Sequence, residues 1–366
     1  MMAATTESNG LGEPLADASD AKVDIVFVHG LMGDRVRTWT SEPGEYSDTA
    51  TFWPRDLLPA KCKAARILSF GYNAAITDFY PFHGAKAVMQ TTVNNHSNAL
   101  LDDLLSLRSR TGTDRRPIFF VAHSLGGLVC ANAVSRPYES EPIQHLVASV
   151  RGMIFLGTPF AGSKMTKWGD IAEKLISLFA VTNREYLKDL AKQSELLVQI
   201  DRNFAQFIKA RDKGPKSGHI ELACYFEGIP TPISSGMIAK KMAKKIVDEA
   251  SASLAGVDLL AIEARHTNMC KFENEFRSGF ISISGKLSDW IKNLDAVVES
   301  DEKRTGLGDI TYNAPVKNNG GLITGHVTEK AKLIGSQTTN NHYGRSRRRG
   351  KKGTKDSDES NESDSA

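Results

Sequence analysis

Six short stretches of the chain are apolar almost without a break: 23–28, 66–70, 117–122, 150–156, 220–226 and 257–262. A strand with one face in water alternates apolar and polar residues. These stretches do not, so they read as strands buried on both faces, as in a parallel sheet. Between them the apolar positions recur at helical spacing. Residues 52–58 begin a short helix with Pro54 near its start. Leu100, Leu101, Leu104, Leu105 and Leu107 form the stripe of a helix over 86–110. Residues 128–133 read as another helix, and Leu287, Trp290, Ile291 and Leu294 mark a last one over about 284–298. Strands alternating with helices predict an α/β fold with a doubly wound, mostly parallel sheet.

Three segments depart from this rhythm. Residues 164–211 form a long helical insertion with Leu196, Leu197, Ile200, Phe204, Phe207 and Ile208 at helical spacing. Its stripe is explained by core packing or, more sharply, by a cap over acyl chains. In 238–246, Ile238, Met242 and Ile246 share one helical face and the lysines largely another. That reads as a solvated basic face, or as a transient contact with an anionic membrane surface. Residues 1–21 and 301–366 are rich in small and polar residues without periodicity, and are expected to be disordered. The folded domain is therefore placed at 22–300.

Composition narrows the function classes. The 366 residues carry a formal charge of only +3, which gives no general affinity for nucleic acid. Cys62, Cys130, Cys224 and Cys270 have neither metal-ligand spacing nor the density of a disulfide framework. No glycine-rich phosphate cradle is present, so no cofactor and no metal are expected. The first 22 residues lack the apolar core of a secretory signal, and no apolar run reaches membrane-spanning length. A cytoplasmic protein is the expectation, with a membrane-associated or mitochondrial one as the alternative.

The chemistry centres on Ala122-His123-Ser124-Leu125-Gly126-Gly127. A buried strand, a serine, small residues and a helix make a nucleophile elbow, whose sharp turn exposes the hydroxyl. The pattern is usually Gly-x-Ser-x-Gly, and here Ala122 takes the first position. His29-Gly30 follows the first strand, where the backbone can aim N–H groups at a developing oxyanion. Leu31 and Leu125 are the candidate donors. Serine needs an imidazole to take its proton, and the imidazole needs an acid. Of the histidines after Ser124, His145 lies a short helix beyond the elbow, and His219 precedes a strand. His326 and His342 lie in the tail, whereas His266 follows the last strand, where the base belongs. Glu227, at the end of the second-to-last strand, is the preferred acid, and Asp248 is the alternative.

These residues resemble the α/β-hydrolase superfamily, and within it a serine esterase/lipase branch. That branch is found in fungal hydrolase effectors associated with NOD-like receptors and in mitochondrial phospholipid-remodelling esterases. The likeness rests on 24–31 (DIVFVHGL), 122–129 (AHSLGGLV), 155–163 (FLGTPFAGS) and 265–272 (RHTNMCKF). The branch commonly has alanine where Ala122 stands, and usually has histidine in place of Phe160, which alters the pocket wall. The resemblance implies cleavage of carboxylic esters, with lipids as the expected substrate. The tail has its own likeness: 325–344, within 310–344, resembles short amyloid motifs of fungal NOD-like receptor systems. This implies a rival function, an idle hydrolase-like effector that self-assembles or meets such a receptor in a cell-death pathway.

Overall fold

The computed structural model describes residues 9–43, 49–74, 88–160, 171, 174, 184–214, 218–235, 240–254, 256–304, 316–318 and 321–323. The chain divides into two compact units, 1–301 and 302–366.

The first unit is built on a sheet whose parallel strands are β3 (Val23–Val28), β4 (Ala65–Gly71), β5 (Ile118–His123), β6 (Val150–Leu156), β7 (Glu221–Glu227) and β10 (Leu259–Ile262). Their spatial order is β4-β3-β5-β6-β7-β10, all pairs parallel. Helices connect them: α1 (Trp53–Asp56), α2 (Leu58–Lys61), α3 (Val88–Thr111), α4 (Leu125–Ser135), α5 (Glu141–Ala148), α6 (Arg184–Asp212), α7 (Glu249–Ala252) and α8 (Ser278–Arg304). This is the α/β-hydrolase arrangement.

Each buried strand feeds two cores, because successive side chains point to opposite faces. Val26, Val28, Phe120, Ala122, Met153 and Phe155 join one core with Leu100, Leu104, Val129 and Phe204. Ile25, Phe27, Phe119, Val121, Ile154 and Leu156 join the other with Trp39, Trp53, Leu287 and Trp290. The unbroken apolar runs have this cause. The stripe of α6 belongs to the first core: Leu197, Ile200 and Phe204 are buried, and α6 packs on α4. Phe160 is seated between Phe155 and Phe204, with ring centroids 4.8 and 5.9 Å away, so it fills core there. Most of 164–183, the rest of the proposed cap, lies outside the described residues.

Two expectations are corrected. The disorder expected for 1–21 does not hold over 9–21. There β1 (Gly10–Leu11) and β2 (Ala16–Asp17) pair antiparallel with β4 at the sheet edge. Within the helix read into 238–246, residues 240–244 instead form one arm of a hairpin, β8 (Thr231–Ser235) with β9 (Lys240–Lys244). Residues four apart share a face in a helix and also in a strand, whose period is two. The spacing of Ile238, Met242 and Ile246 therefore could not separate them.

In the second unit, β11 (Val316–Asn318) and β12 (Gly321–Ile323) pair antiparallel where the sequence predicts disorder. The candidate amyloid motif at 325–344 lies outside the described residues. No helix among the described residues is long and apolar enough to cross a membrane.

At the amino end of the sheet, Asp24 is fully buried between cations. Arg66 grips it with two bonds of 2.9 Å, Arg108 adds one of 2.8 Å and Arg116 one of 3.2 Å. The cluster ties β3, β4 and the end of α3 together. Removing the one anion leaves buried guanidinium groups uncompensated. Asp24→Asn is expected to cost about 3–5 kcal/mol in denaturant unfolding. A loss below about 1 kcal/mol would contradict the role given to this cluster.

Candidate active site

Ser124 stands between the last residue of β5 and the first of α4, with φ 53° and ψ −128°. Among the described residues only Met32 is another non-glycine residue at positive φ. Such backbone costs about 1–3 kcal/mol and persists only where its surroundings enforce it. Here the enforcement is close packing. A Cβ at Gly126 would lie 2.2 Å from the His29 carbonyl oxygen and 2.6 Å from that of Val28. The Ser124 N–H is also fixed, donating to the Leu156 carbonyl at 2.8 Å.

The predicted residues divide clearly. The structure brings Ser124, His266 and Glu227 together, all buried. His266 Nε2 lies 3.1 Å from Ser124 Oγ. Its Nδ1 lies 3.5 Å from Glu227 Oε2, beyond a well-formed hydrogen bond. Such contacts are often long in unliganded sites. The other oxygen of Glu227 accepts the backbone N–H groups of Ile246 and Val247. Asp248 is placed differently, as the N-cap of α7, where Oδ1 accepts the Ser251 N–H at 2.9 Å. Leu125 follows Ser124 in the chain, and Leu31 shares the wall of the cavity that opens on Ser124. Among the described residues, neither N–H is engaged in a hydrogen bond outside the helix and strand ladders.

The loop carrying His266 has little regular structure, yet it is anchored. Met269, Cys270 and Phe272 are buried in the second core, and Trp53 Nε1 donates to the Cys270 carbonyl at 2.8 Å. Gly157 is a second position where only glycine fits: its φ is 57°, and a Cβ would lie 2.9 Å from the His266 ring. A cavity of about 160 Å³ opens on Ser124 and His266, with Met32, Arg37 and Lys271 in its wall. Two larger cavities, of about 580 and 620 Å³, lie off the site.

Sequence reasoning passed over two residues here. His123 Nε2 lies 3.0 Å from the His266 carbonyl. Thr231 Oγ1 accepts the His266 N–H at 3.1 Å and lies 3.4 Å from Glu227 Oε2. Nothing in the spacing marks Thr231, whereas His123 stands beside the nucleophile and was open to notice. His29 also has a clear part. Its Nδ1 faces the Gly30 carbonyl at 2.9 Å, its Nε2 accepts the Tyr72 N–H at 3.2 Å, and the two rings stack.

Residues 19–209 match a family model described as Putative serine esterase (DUF676). The chain belongs to this serine esterase family. The matched span contains Ser124 and ends before Glu227 and His266. Among curated proteins, the chain is similar to Protein SERAC1 of Homo sapiens, 28% identical over 262 residues, covering 68% of this chain and 36% of that one. The Danio rerio protein of the same name is 27% identical, covering 69% and 37%. The chain thus spans little more than a third of the length of these relatives. Among solved structures, it is similar to Bacillus licheniformis lipase BlEst2 in mature form at 18% identity and TM-score 0.42, covering 75% of this chain and 96% of that one. Esterase B from Lactobacillus rhamnosis shows 14% identity and TM-score 0.37, covering 78% and 81%. Those scores are too low to add to the fold that the strand order already shows.

Burial holds two of the site's imidazoles neutral. That of His29 is lowered from the ordinary 6.5 to about 4 by burial, with its Gly30 bond opposing. That of His123 is lowered to about 3 by burial and then by neighbouring His266. Below pH 6.5 the unfolded chain binds protons at both, and the folded chain does not until pH nears 4 and 3. Their contribution to stability is complete above pH 6.5 and is lost as pH falls through that window. The thermal midpoint is expected to drop between pH 7.5 and pH 5. A midpoint that stays level or rises on acidification would contradict the buried neutral state.

Proposed function

We propose that the protein cleaves carboxylic esters through a covalent acyl-enzyme on Ser124, with lipids as the substrate class. The observation that carries this reading is the 3.1 Å approach of His266 Nε2 to a serine hydroxyl on a strained elbow. Ser124 Oγ attacks the ester carbonyl while His266 Nε2 takes its proton. Glu227 faces Nδ1, orients the ring and stabilises the imidazolium. The N–H groups of Leu31 and Leu125 receive the oxyanion, and each such donor is worth about 10²–10³ in rate. His266 then returns the proton to the leaving alkoxide. Water, activated by the same imidazole, releases the acid.

The substrate class is supported at the mouth of the cavity. Met32 is a large apolar side chain left 43% exposed in the wall of the cavity that opens on Ser124. An acyl portion laid on that wall would cover it. Every group in the scheme lies within the first compact unit.

Turnover of a chromogenic ester by the full chain tests the scheme. Ser124→Ala and His266→Ala are each expected to lower kcat by about 10⁴-fold or more, because such residues act as a unit. Glu227→Gln is expected to be milder yet severe. Asp248→Asn should leave kcat within a few-fold, because Asp248 caps a helix while Glu227 is the carboxylate facing His266 Nδ1. An active Ser124→Ala variant would contradict the nucleophile, and a crippled Asp248→Asn variant would move the acid there.

A further inference from the structure

His266 sits in a loop, and an imidazole is only as well placed as its backbone. Both peptide groups that flank its Cα are held by side chains, and the two holders come from opposite sides. On the carbonyl side, His123 Nε2 lies 3.0 Å from the His266 oxygen. A carbonyl only accepts, so His123 must carry its proton on Nε2. The burial that keeps this ring neutral permits a single fixed tautomer. On the amide side, the His266 N–H donates to Thr231 Oγ1 at 3.1 Å. That hydroxyl accepts the N–H and donates its own proton to Glu227 Oε2 at 3.4 Å. Thr231 is 4% exposed and His123 8%, so water does not replace either partner.

We infer that His123 and Thr231 are positioning residues that bracket the His266 backbone, tying it to the nucleophile on one side and to Glu227 on the other. His123 is joined by one peptide bond to Ser124. Thr231 opens β8 and touches the acid directly. The bracket therefore makes the spacing of all three groups depend on two short side chains. It also explains how a 3.5 Å contact between His266 and Glu227 can hold the ring: Thr231 bridges them through the backbone. The inference rests on the hydrolase reading proposed above.

The test uses the full-length chain and p-nitrophenyl butyrate. Thr231→Val keeps the branched shape and removes the hydroxyl, and Thr231→Ser restores it. His123→Leu removes the donor. His123→Gln places an amide N–H the same number of bonds from Cα. Thr231→Val and His123→Leu are expected to lower kcat about 10-fold to 100-fold with KM little changed, because a misplacement of about 1 Å costs on that order. Thr231→Ser and His123→Gln should recover most of the loss. The double variant should be little worse than the worse single one, since both act on one imidazole. Folded variants that keep wild-type kcat, or losses that neither conservative change recovers, overturn the bracket. Should Thr231→Val or His123→Leu fail to fold, the wild-type chain decides. Nitrogen-15 spectra of its histidines should show His123 as the neutral Nε2–H tautomer from pH 5 to 9, and an Nδ1–H or titrating His123 overturns the inference. Turnover that survives Ser124→Ala is the separate result that sinks the hydrolase reading itself.

Discussion

The first turn of α4 lies so close to the end of β3 that no side chain fits between them at Gly126. This contact governs what surrounds it. The chain must leave β5 and enter the helix within one residue, and only a left-handed backbone at Ser124 does so. The hydroxyl is thereby lifted off the sheet towards the His266 loop. The same contact sets the first turn of α4 against the end of β3 and the residue after it. Packing, strain and the proposed chemistry are here one constraint seen at three scales.

The two ends of the sheet are treated differently. The amino ends of β3 and β4 are closed by Asp24 and the arginines that bond to it. Where the strands emerge at the carboxyl end, Ser124, His123 and His266 instead line an opening, with Glu227 and the neutral ring of His29 buried at that end. Ligands in open α/β sheets bind at that end because the loops there are free to vary while the strands are not.

Much of this was legible in the residues. Runs such as 23–28 and 150–156 match the observed strands residue for residue, because a strand buried on both faces is apolar almost throughout and stands out from its flanks. Ser124, His266 and Glu227 were selected by their place relative to strand ends, and the structure brings them within 3.1 and 3.5 Å of one another in turn. What escaped has physical causes. The pairs β1 and β2 are two residues each, too short for any period to show. The β8–β9 hairpin was hidden by a spacing that fits both a helix and a strand. The Thr231 bond to the His266 N–H spans 35 positions, and a threonine near a proline has no local mark of that. Asp24 looked like a lone polar residue in an apolar run, since its partners lie 42, 84 and 92 positions away.

The central claim is that the elbow, the imidazole and the two backbone N–H groups converge on one reacting carbon. A crystal structure of the full chain after reaction with an alkyl fluorophosphonate tests it most directly. The account requires phosphorus bonded to Ser124 Oγ, with a phosphoryl oxygen about 2.7–3.1 Å from the nitrogens of both Leu31 and Leu125. An adduct on another residue, or an oxygen turned away from these two groups, would contradict it.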